Sequence, residues 1–305
     1  MIDTPKLSVI IPTFNNVEVL RRCLDSWERC AANAPVELIV VEDSCRDRTA
    51  AFLEERAATP WGNAHLRWIH EANVHELRAT NRGLAEARAP LAMTWHDDMF
   101  LCAGWLVPEL LATFDRYQDL GLLCLSRGIL CHHVDEPITT WEELIDFRRL
   151  ESTIGKRPFN WFRLQEVDAV IRPWVIRRAC LDRVGALDEA FVPTGWDEAD
   201  LAFRIRQAGW RVATHGYERD GAFVHQGSST FAKFALDTVQ DLRNGLLFHQ
   251  RWGDAIRREP PRVRRTWLRC PPVAGWIWTL GQVWHFALPW RRRAIIDGKG
   301  WRVET

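Results

Sequence analysis

A net charge is what this sequence most plainly lacks: 40 Lys and Arg residues balance 40 Asp and Glu residues, for a formal net charge of +0. Without a basic field there is no electrostatic footprint for a phosphate backbone, so nucleic acid is excluded as the expected partner. Paired cysteines are missing too. The 8 cysteines are scattered, with no Cys-x-x-Cys, which removes zinc knuckles and dithiol redox motifs. Half of them (Cys23, Cys102, Cys124, Cys180) fall inside apolar stretches, where cysteine behaves as a small core residue. The expected setting is reducing and cytoplasmic. "MIDTPKLSVIIP" has no basic segment followed by a long apolar run, so no secretory signal is expected. No uncharged stretch reaches the ~20 residues of a membrane-spanning helix; the nearest, Val273 to Pro289, is short. Internal repeats and low-complexity tracts are absent as well.

What is present is a large apolar fraction, 47% of 305 residues, enough for one large α/β domain or two smaller ones and too much for a disordered chain. "KLSVIIPTF" is a β-branched run ended by Pro12, the pattern of a buried strand. "NNVEVLRRCLDSWERCA" then spaces Val19, Leu20, Cys23, Leu24 and Trp27 along one helix face. "VELIVVEDS", "LRWIHEA" and "LAMTWHDD" predict three more strands, separated by the helical stretches "RDRTAAFLEERA" and "HELRATNRGLAEARA". Strand and helix alternating at this spacing predict a parallel sheet with helical crossovers. Further on, "GWLVPELLATFDRYQ" predicts a helix and "LGLLCLSR" a strand. "WDEADLAFRIRQAG" predicts a helix with Leu201, Ile205 and Ala208 as its buried stripe and Gly209 as its C-terminal cap. "WRVATHG" and "AFVHQG" predict closing strands.

Acids gather where these strands end. Glu42-Asp43 follow the second strand, Asp97-Asp98 the fourth, Asp197-Glu198 open a late helix, and His225 closes a late strand. In open α/β sheets ligands collect at the carboxyl ends of the strands. Carboxylates with one imidazole suit an oxygen-loving divalent cation, Mg²⁺ or Mn²⁺, which in turn suits phosphates. His96 either joins that cluster or pairs with its acidic neighbours. Each group also has a plainer reading: Asp97-Asp98 and Glu42-Asp43 as caps and turns, Glu198 as a first-turn acid complementing its helix dipole, His225 as a satisfied core histidine.

Six segments in order resemble the family 2 glycosyltransferases of the GT-A fold, across residues 7 to about 253. "SVIIPTFNN" is similar to the family's opening strand and loop, and "LIVVEDSCRD" to its "VVDDGSxD" segment. "NVHELRATNRGLAEARAPLAMTWHDD" resembles its stretch ending in Asp-x-Asp. "VGALDEAF" with "GWDEADLAFRIRQAGWRV" resembles the segment of the catalytic acid, "VHQGSST" its late "H..S", and "NGLLFHQRWG" its "N..YF..KWG" tail. The resemblance implies an α/β GT-A fold, Rossmann-like, with a central mixed, mainly parallel sheet over residues 1–255. Residues 1–100 would be the nucleotide-binding half and 101–255 the acceptor-binding half. A helical tail would occupy 256–305.

The same resemblance implies roles. Pro12, Phe14, Glu42, Asp43, Asn73, Arg78 and Asp97 would bind the nucleotide sugar. Within that set Phe14 would stack on the base, Asp43 accept from its imide, and Asp97 hold the ribose or the metal through water. Asp98 and His225 would hold Mn²⁺ or Mg²⁺. Glu198 falls on the general-base position, with Asp197 as the alternative because the pair is Asp-Glu where the family more often has Glu-Asp. The implied reaction is an inverting transfer from a UDP-, GDP- or dTDP-linked sugar to the hydroxyl of a glycan, lipid-linked or protein acceptor. A sugar-phosphate nucleotidyltransferase is the alternative activity, but "PTFNNVEVLRR" lacks the glycine-rich loop it would carry. A non-catalytic scaffold is the other alternative. Trp141, Phe159, Trp161 and Phe162 either stack on acceptor sugars or lie under a long loop. In the tail, Trp276, Leu280, Val283, Trp284 and Ala287 share one helical face between arginine runs, the composition of an interfacial helix. The alternatives are packing on the catalytic domain or on a second subunit as a homodimer. Peripheral attachment at the inner face of a membrane is therefore one expectation for localisation.

Overall fold

Seven consecutive buried or half-buried residues, Leu7–Thr13, form strand β1, and eight buried ones, Val36–Asp43, form β2 beside it. The structure, a computed structural model, describes residues 4–59, 64–126, 128–131, 150–151, 164–218, 220–227 and 238–258. The chain divides into two units, Met1–Arg262 and Val263–Thr305, and every described residue belongs to the first. The tail residues Trp276, Leu280, Val283, Trp284 and Ala287 and the aromatics Trp141, Phe159, Trp161 and Phe162 lie outside the described residues.

After β1 come α1 (Val17–Ala31), β2, α2 (Thr49–Ala57), β3 (His65–Glu71), α3 (His75–Glu86) and β4 (Leu91–Thr94). Next are β5 (Met99–Leu101), α4 (Leu106–Arg116), β6 (Leu120–Cys124), the two-residue strands β7 (Leu130–Cys131) and β8 (Leu150–Glu151), and β9 (Gln165–Glu166). Then follow β10 (Trp174–Arg177), α5 (Arg178–Val184), a 3-10 turn (Glu189–Phe191), α6 (Asp197–Gln207), β11 (Arg211–Thr214), β12 (Phe223–His225) and α7 (Thr238–Arg258). Eight strands make one sheet in the order β3-β2-β1-β4-β10-β6-β11-β9. Strands β3, β2, β1 and β4 are parallel, β10 runs antiparallel between β4 and β6, and β11 is parallel to β6. The sheet is mixed, as the family resemblance implies, where the strand–helix alternation alone predicts a parallel one.

Direction fixes where the site lies. The carboxyl ends of β1, β2 and β4 share one edge, and because β10 is reversed, its amino end with Arg172 just before it reaches that edge too. A helix that precedes a parallel strand starts at the same edge, which brings in Asp197 and Glu198 at the start of α6.

Helices cover both faces. Val9, Ile11, Leu38 and Val40 pack with Leu20, Leu24 and Trp27 of α1 and Phe52 and Leu53 of α2. The alternate residues Ile39 and Val41 pack on Ala79 of α3. A Cβ at Gly83 of α3 would stand 2.3 Å from Ile10 Cγ2, so only glycine lets α3 lie this close to the sheet.

Two expectations are refined. Strand β4 stops at Thr94, and His96 to Asp98 stand in a turn beyond it. Helix α6 buries more than the predicted stripe: Leu201 and Ile205 are joined by Ala202 and Phe203. Phe203 is covered by Phe248 and Trp252 of α7, with ring centroids 5.2 Å away in each case.

Candidate active site

Trp95 sets the turn that follows β4. Its backbone N–H donates to Ile10 O (2.9 Å) and its indole N–H to Met99 O (3.0 Å), and its ring meets Trp27 and Phe223 edge-on at 5.2 and 5.1 Å. With this indole locked, His96, Asp97 and Asp98 are the residues left at the sheet edge. Strand β5 then pairs antiparallel with β12 in the register Met99↔His225, which lays Asp98 beside His225. Their side chains meet at 3.2 Å, His225 Nε2 to Asp98 Oδ1.

His96, Asp98 and His225 each offer one ligand atom, and these atoms lie within 4.8 Å of one another. Asp98 is 4% exposed and its Oδ1 accepts no well-aligned hydrogen bond. A buried carboxylate oxygen is costly unless a positive charge faces it. Set against two imidazoles, it fits the donor set of a divalent cation. Burial opposes the charge on Asp98, but His225 and then His96 hold its pKa below the usual carboxylate range. Asp97 goes the other way: burial, with the adjacent Asp98 charge, pushes it up to about 6 against a hydrogen bond from Thr13. That bond, Thr13 Oγ1 to Asp97 Oδ2, is 2.7 Å and ties the end of β1 to the turn.

The Asp197-Glu198 pair meets a residue that sequence reasoning missed. Arg172 is buried, with Nη2 3.1 Å from Asp197 Oδ2, Nε 2.9 Å from Glu198 Oε1 and Nη1 bonded to Glu76 Oε1. Glu76 in turn lies 3.3 Å from His96 Nε2. A continuous line of contacts thus runs from Asp98 through His96, Glu76 and Arg172 to Glu198. Burial raises Asp197, and raises Glu198 to about 8, with neighbouring carboxylates adding to the effect and Arg172 opposing it. Glu76 shifts downward, because the Arg172 charge and then His96 outweigh its burial. Asp197 is sealed at 0% exposure whereas the Glu198 side chain keeps 14%, so of the pair Glu198 is the one that reaches solvent.

Asp43 and Glu42 support this line from behind. Asp43 takes N–H donors from Val74 (2.6 Å) and His75 (2.9 Å), fixing the loop that delivers Glu76. Glu42 is 1% exposed, 2.6 Å from His70 Nδ1, and accepts from Cys45 N–H. Pro12 lies in β1 opposite Val41, and Phe14 follows that strand half-buried at the same edge. Two predicted residues are not brought into the cluster. Asn73 is exposed, and Arg78 is exposed and paired with Glu189 at 2.8 Å; the arginine facing the acids is Arg172 instead. "IRPW" carries no motif, and only the three-dimensional convergence of β10 with α6 reveals it.

Helix α7 explains the "NGLLFHQRWG" segment physically. Asn244 Nδ2 reaches the carbonyls of Phe191 (2.7 Å), Thr194 (3.0 Å) and Gly195 (3.2 Å), and Trp252 Nε1–H donates to the buried Asp200 (2.9 Å). Trp196, immediately before α6, has φ of +68°, a strained conformation for a bulky residue. Phe248 stacks against it with centroids at 5.1 Å, and a Cβ on Gly245 would lie 3.0 Å from its ring. The tail segment clamps the loop that presents Glu198.

Comparison with known proteins identifies the family and the fold. The model of a family described as "Glycosyltransferase like family 2" matches residues 5–244. The uncharacterized glycosyltransferase EpsJ of Bacillus subtilis is 33% identical over 84 residues, 28% of this chain and 23% of that protein. The O-antigen biosynthesis protein RfbC of Myxococcus xanthus is 25% identical over 239 residues, 74% of this chain and 18% of that protein. The chain therefore spans less than a quarter of the length of either relative. Among solved structures, the mannosyltransferase PcManGT of Pyrobaculum calidifontis, in complex with GDP-Man and Mn²⁺, matches 97% of this chain and 85% of its own at a TM-score of 0.50 and 16% identity. That likeness is one of fold, the GT-A fold. Among the described residues no helix is long and apolar enough to cross a membrane.

Proposed function

Since this chain belongs to the glycosyltransferase-like family 2, we propose that it moves a sugar from a nucleoside-diphosphate donor to an acceptor hydroxyl with inversion at the anomeric carbon. The observation that carries the reading is the unbroken line of contacts joining Asp98 and His225 to Glu198 through His96, Glu76 and Arg172. It supports a cation-binding group and a proton acceptor working together at one edge of one sheet.

In this reading Asp98 and His225 hold Mn²⁺ or Mg²⁺. When bound, such a cation offsets the charge that develops on the departing diphosphate. Phe14 flanks the nucleoside, Glu42 and Asp43 brace the loops beside it, and Asp97, steadied by Thr13, holds the ribose. Glu198 takes the proton from the acceptor hydroxyl while its oxygen bonds to the anomeric carbon and the bond to the diphosphate breaks. Arg172 keeps the Glu198 carboxylate aimed, and the sealed Asp197 serves to hold Arg172. A single displacement of this kind inverts the anomeric centre. The similarity to an O-antigen biosynthesis protein supports a growing polysaccharide or lipid-linked glycan as the acceptor class.

The test is a panel of UDP-, GDP- and dTDP-linked sugars incubated with the protein and Mn²⁺. Release of nucleoside diphosphate from one donor is expected, abolished by chelation, and proton NMR of the product should give the anomer opposite to the donor's. Retention of configuration, or release from none of the donors, would overturn the proposal.

A further inference from the structure

Beyond the pair of cation ligands just proposed, and resting on that reading of the site, we infer that His96 is a third protein ligand. Glu76 turns it toward the cation, and the resulting two-imidazole, one-carboxylate set prefers Mn²⁺ to Mg²⁺.

His96 stands between two acids. Its Nδ1 is 4.0 Å from Asp98 Oδ1 and its Nε2 is 3.3 Å from Glu76 Oε1. A histidine placed there only to bridge them would hydrogen-bond to both. The first separation is too long for that, and His96 Nε2 and Asp98 Oδ1, both buried atoms, make no well-aligned hydrogen bond at all. One cation at the point they share would take Nδ1 and Oδ1 as ligands, satisfying the carboxylate oxygen, and would set the ring with its Nε2–H toward Glu76.

The spacing agrees. Two donor atoms bound to one ion at about 2.1 Å are roughly 3.0 Å apart when adjacent and 4.2 Å apart when opposite. Asp98 and His225 already stand at 3.2 Å, and His96 Nδ1 falls between the two limits. The imidazoles of His96 and His225 are tilted at 63° with centroids 5.5 Å apart, so their in-plane lone pairs are not parallel.

Glu76 completes the arrangement. A ligating histidine almost always gives its other ring N–H to a carboxylate, which fixes its tautomer and orientation. Arg172 Nη1 pairs with the same Glu76 oxygen. The backbone position of Glu76 is set by the loop that Asp43 holds. The donor set then decides selectivity. Mg²⁺ prefers oxygen and gives up water reluctantly, whereas imidazole favours the first-row transition ions.

The test reads the metal directly, using the full chain with Mn²⁺, alone and with UDP or GDP. Pulsed EPR of the Mn²⁺ complex should show nitrogen couplings from two imidazoles, reduced to one in His96→Ala and in His225→Ala. Calorimetry should give Mn²⁺ an affinity at least about 10-fold above that of Mg²⁺. His96→Ala should weaken Mn²⁺ binding about 10- to 100-fold, and Glu76→Gln, which leaves the ring in place, about 10-fold. A single nitrogen coupling in the unmodified protein, or unchanged Mn²⁺ affinity in His96→Ala, would overturn the inference and leave Asp98 and His225 as the cation's ligands. No Mn²⁺ binding would overturn both. Sugar transfer is judged separately by the donor panel, and the EPR measurement on the unmodified protein stands even if a variant fails to fold.

Discussion

Glu198→Gln is expected to lower the rate of sugar transfer by about 10²- to 10⁴-fold, the contribution of a positioned general base, while donor affinity changes by less than about threefold. The amide keeps the shape and the contact with Arg172 but cannot accept the proton. Glu198 is the open member of its pair, with Asp197 sealed at 0% exposure, so Asp197 has no route to take over. The pH dependence has a definite sign. Burial raises Glu198 to about 8, aided by Asp197 and Glu76 and opposed by Arg172. A base with a raised pKa is protonated over much of the neutral range, so kcat should climb as pH rises toward about 8 and level off above it. Steady-state kinetics of both proteins across pH 6 to 9 checks this. Full turnover in the glutamine variant would assign the proton to another group, and a flat profile would contradict the raised pKa.

Arg172→Leu should be the most damaging single change to stability. The guanidinium is 5% exposed and neutralises Glu76, Asp197 and Glu198. Removing one partner from a buried ion network costs about 3–5 kcal/mol, because the remaining charges stay buried without compensation. For a domain of this size that is a fall in Tm of roughly 10 °C. Glu76, held low by Arg172 in the native protein, stabilises the fold above its unfolded pKa, and that contribution disappears in the variant. Asp197 and Glu198, already raised, rise further without the cation. Asp197 and Glu198 then bind protons still more tightly folded than unfolded, so the deficit should be largest above about pH 8 and shrink as pH falls. Thermal scans at pH 8 and pH 5.5 measure it. A loss under about 1 kcal/mol, or an equal loss at both pH values, would mean the acids do not depend on this arginine.

The two halves of this site differed in how far the sequence revealed them. Strands β1 to β4 were legible because each is a run of apolar residues ending in polar ones, and parallel neighbours must share a carboxyl edge. That located Asp43, Asp97 and Asp98. Asp197, Glu198 and His225 stand out in the same way, as polar groups at the ends of elements, and the family resemblance adds only their expected roles. Strand β5 was not legible: three residues have no measurable period, yet its pairing with β12 is what sets Asp98 against His225. Arg172 was hidden for a different reason. One arginine before a proline has no pattern, and its importance comes from β10 running backward between β4 and β6. Arg78 shows the converse. Its position in a motif-bearing helix suggested a phosphate contact, but the side chain points to Glu189 on an exposed face. Motifs mark the chain positions that meet a ligand; they do not mark the charges that hold those positions in place.

Diffraction at the manganese absorption edge, from crystals soaked with Mn²⁺ and a nucleoside diphosphate, tests the central claim most directly. One anomalous peak is expected against Asp98 and His225, bridged to the diphosphate, with the Glu198 carboxylate opening into the same cavity. A peak held by other residues, or a nucleotide bound in a cavity that Glu198 does not face, would contradict the account.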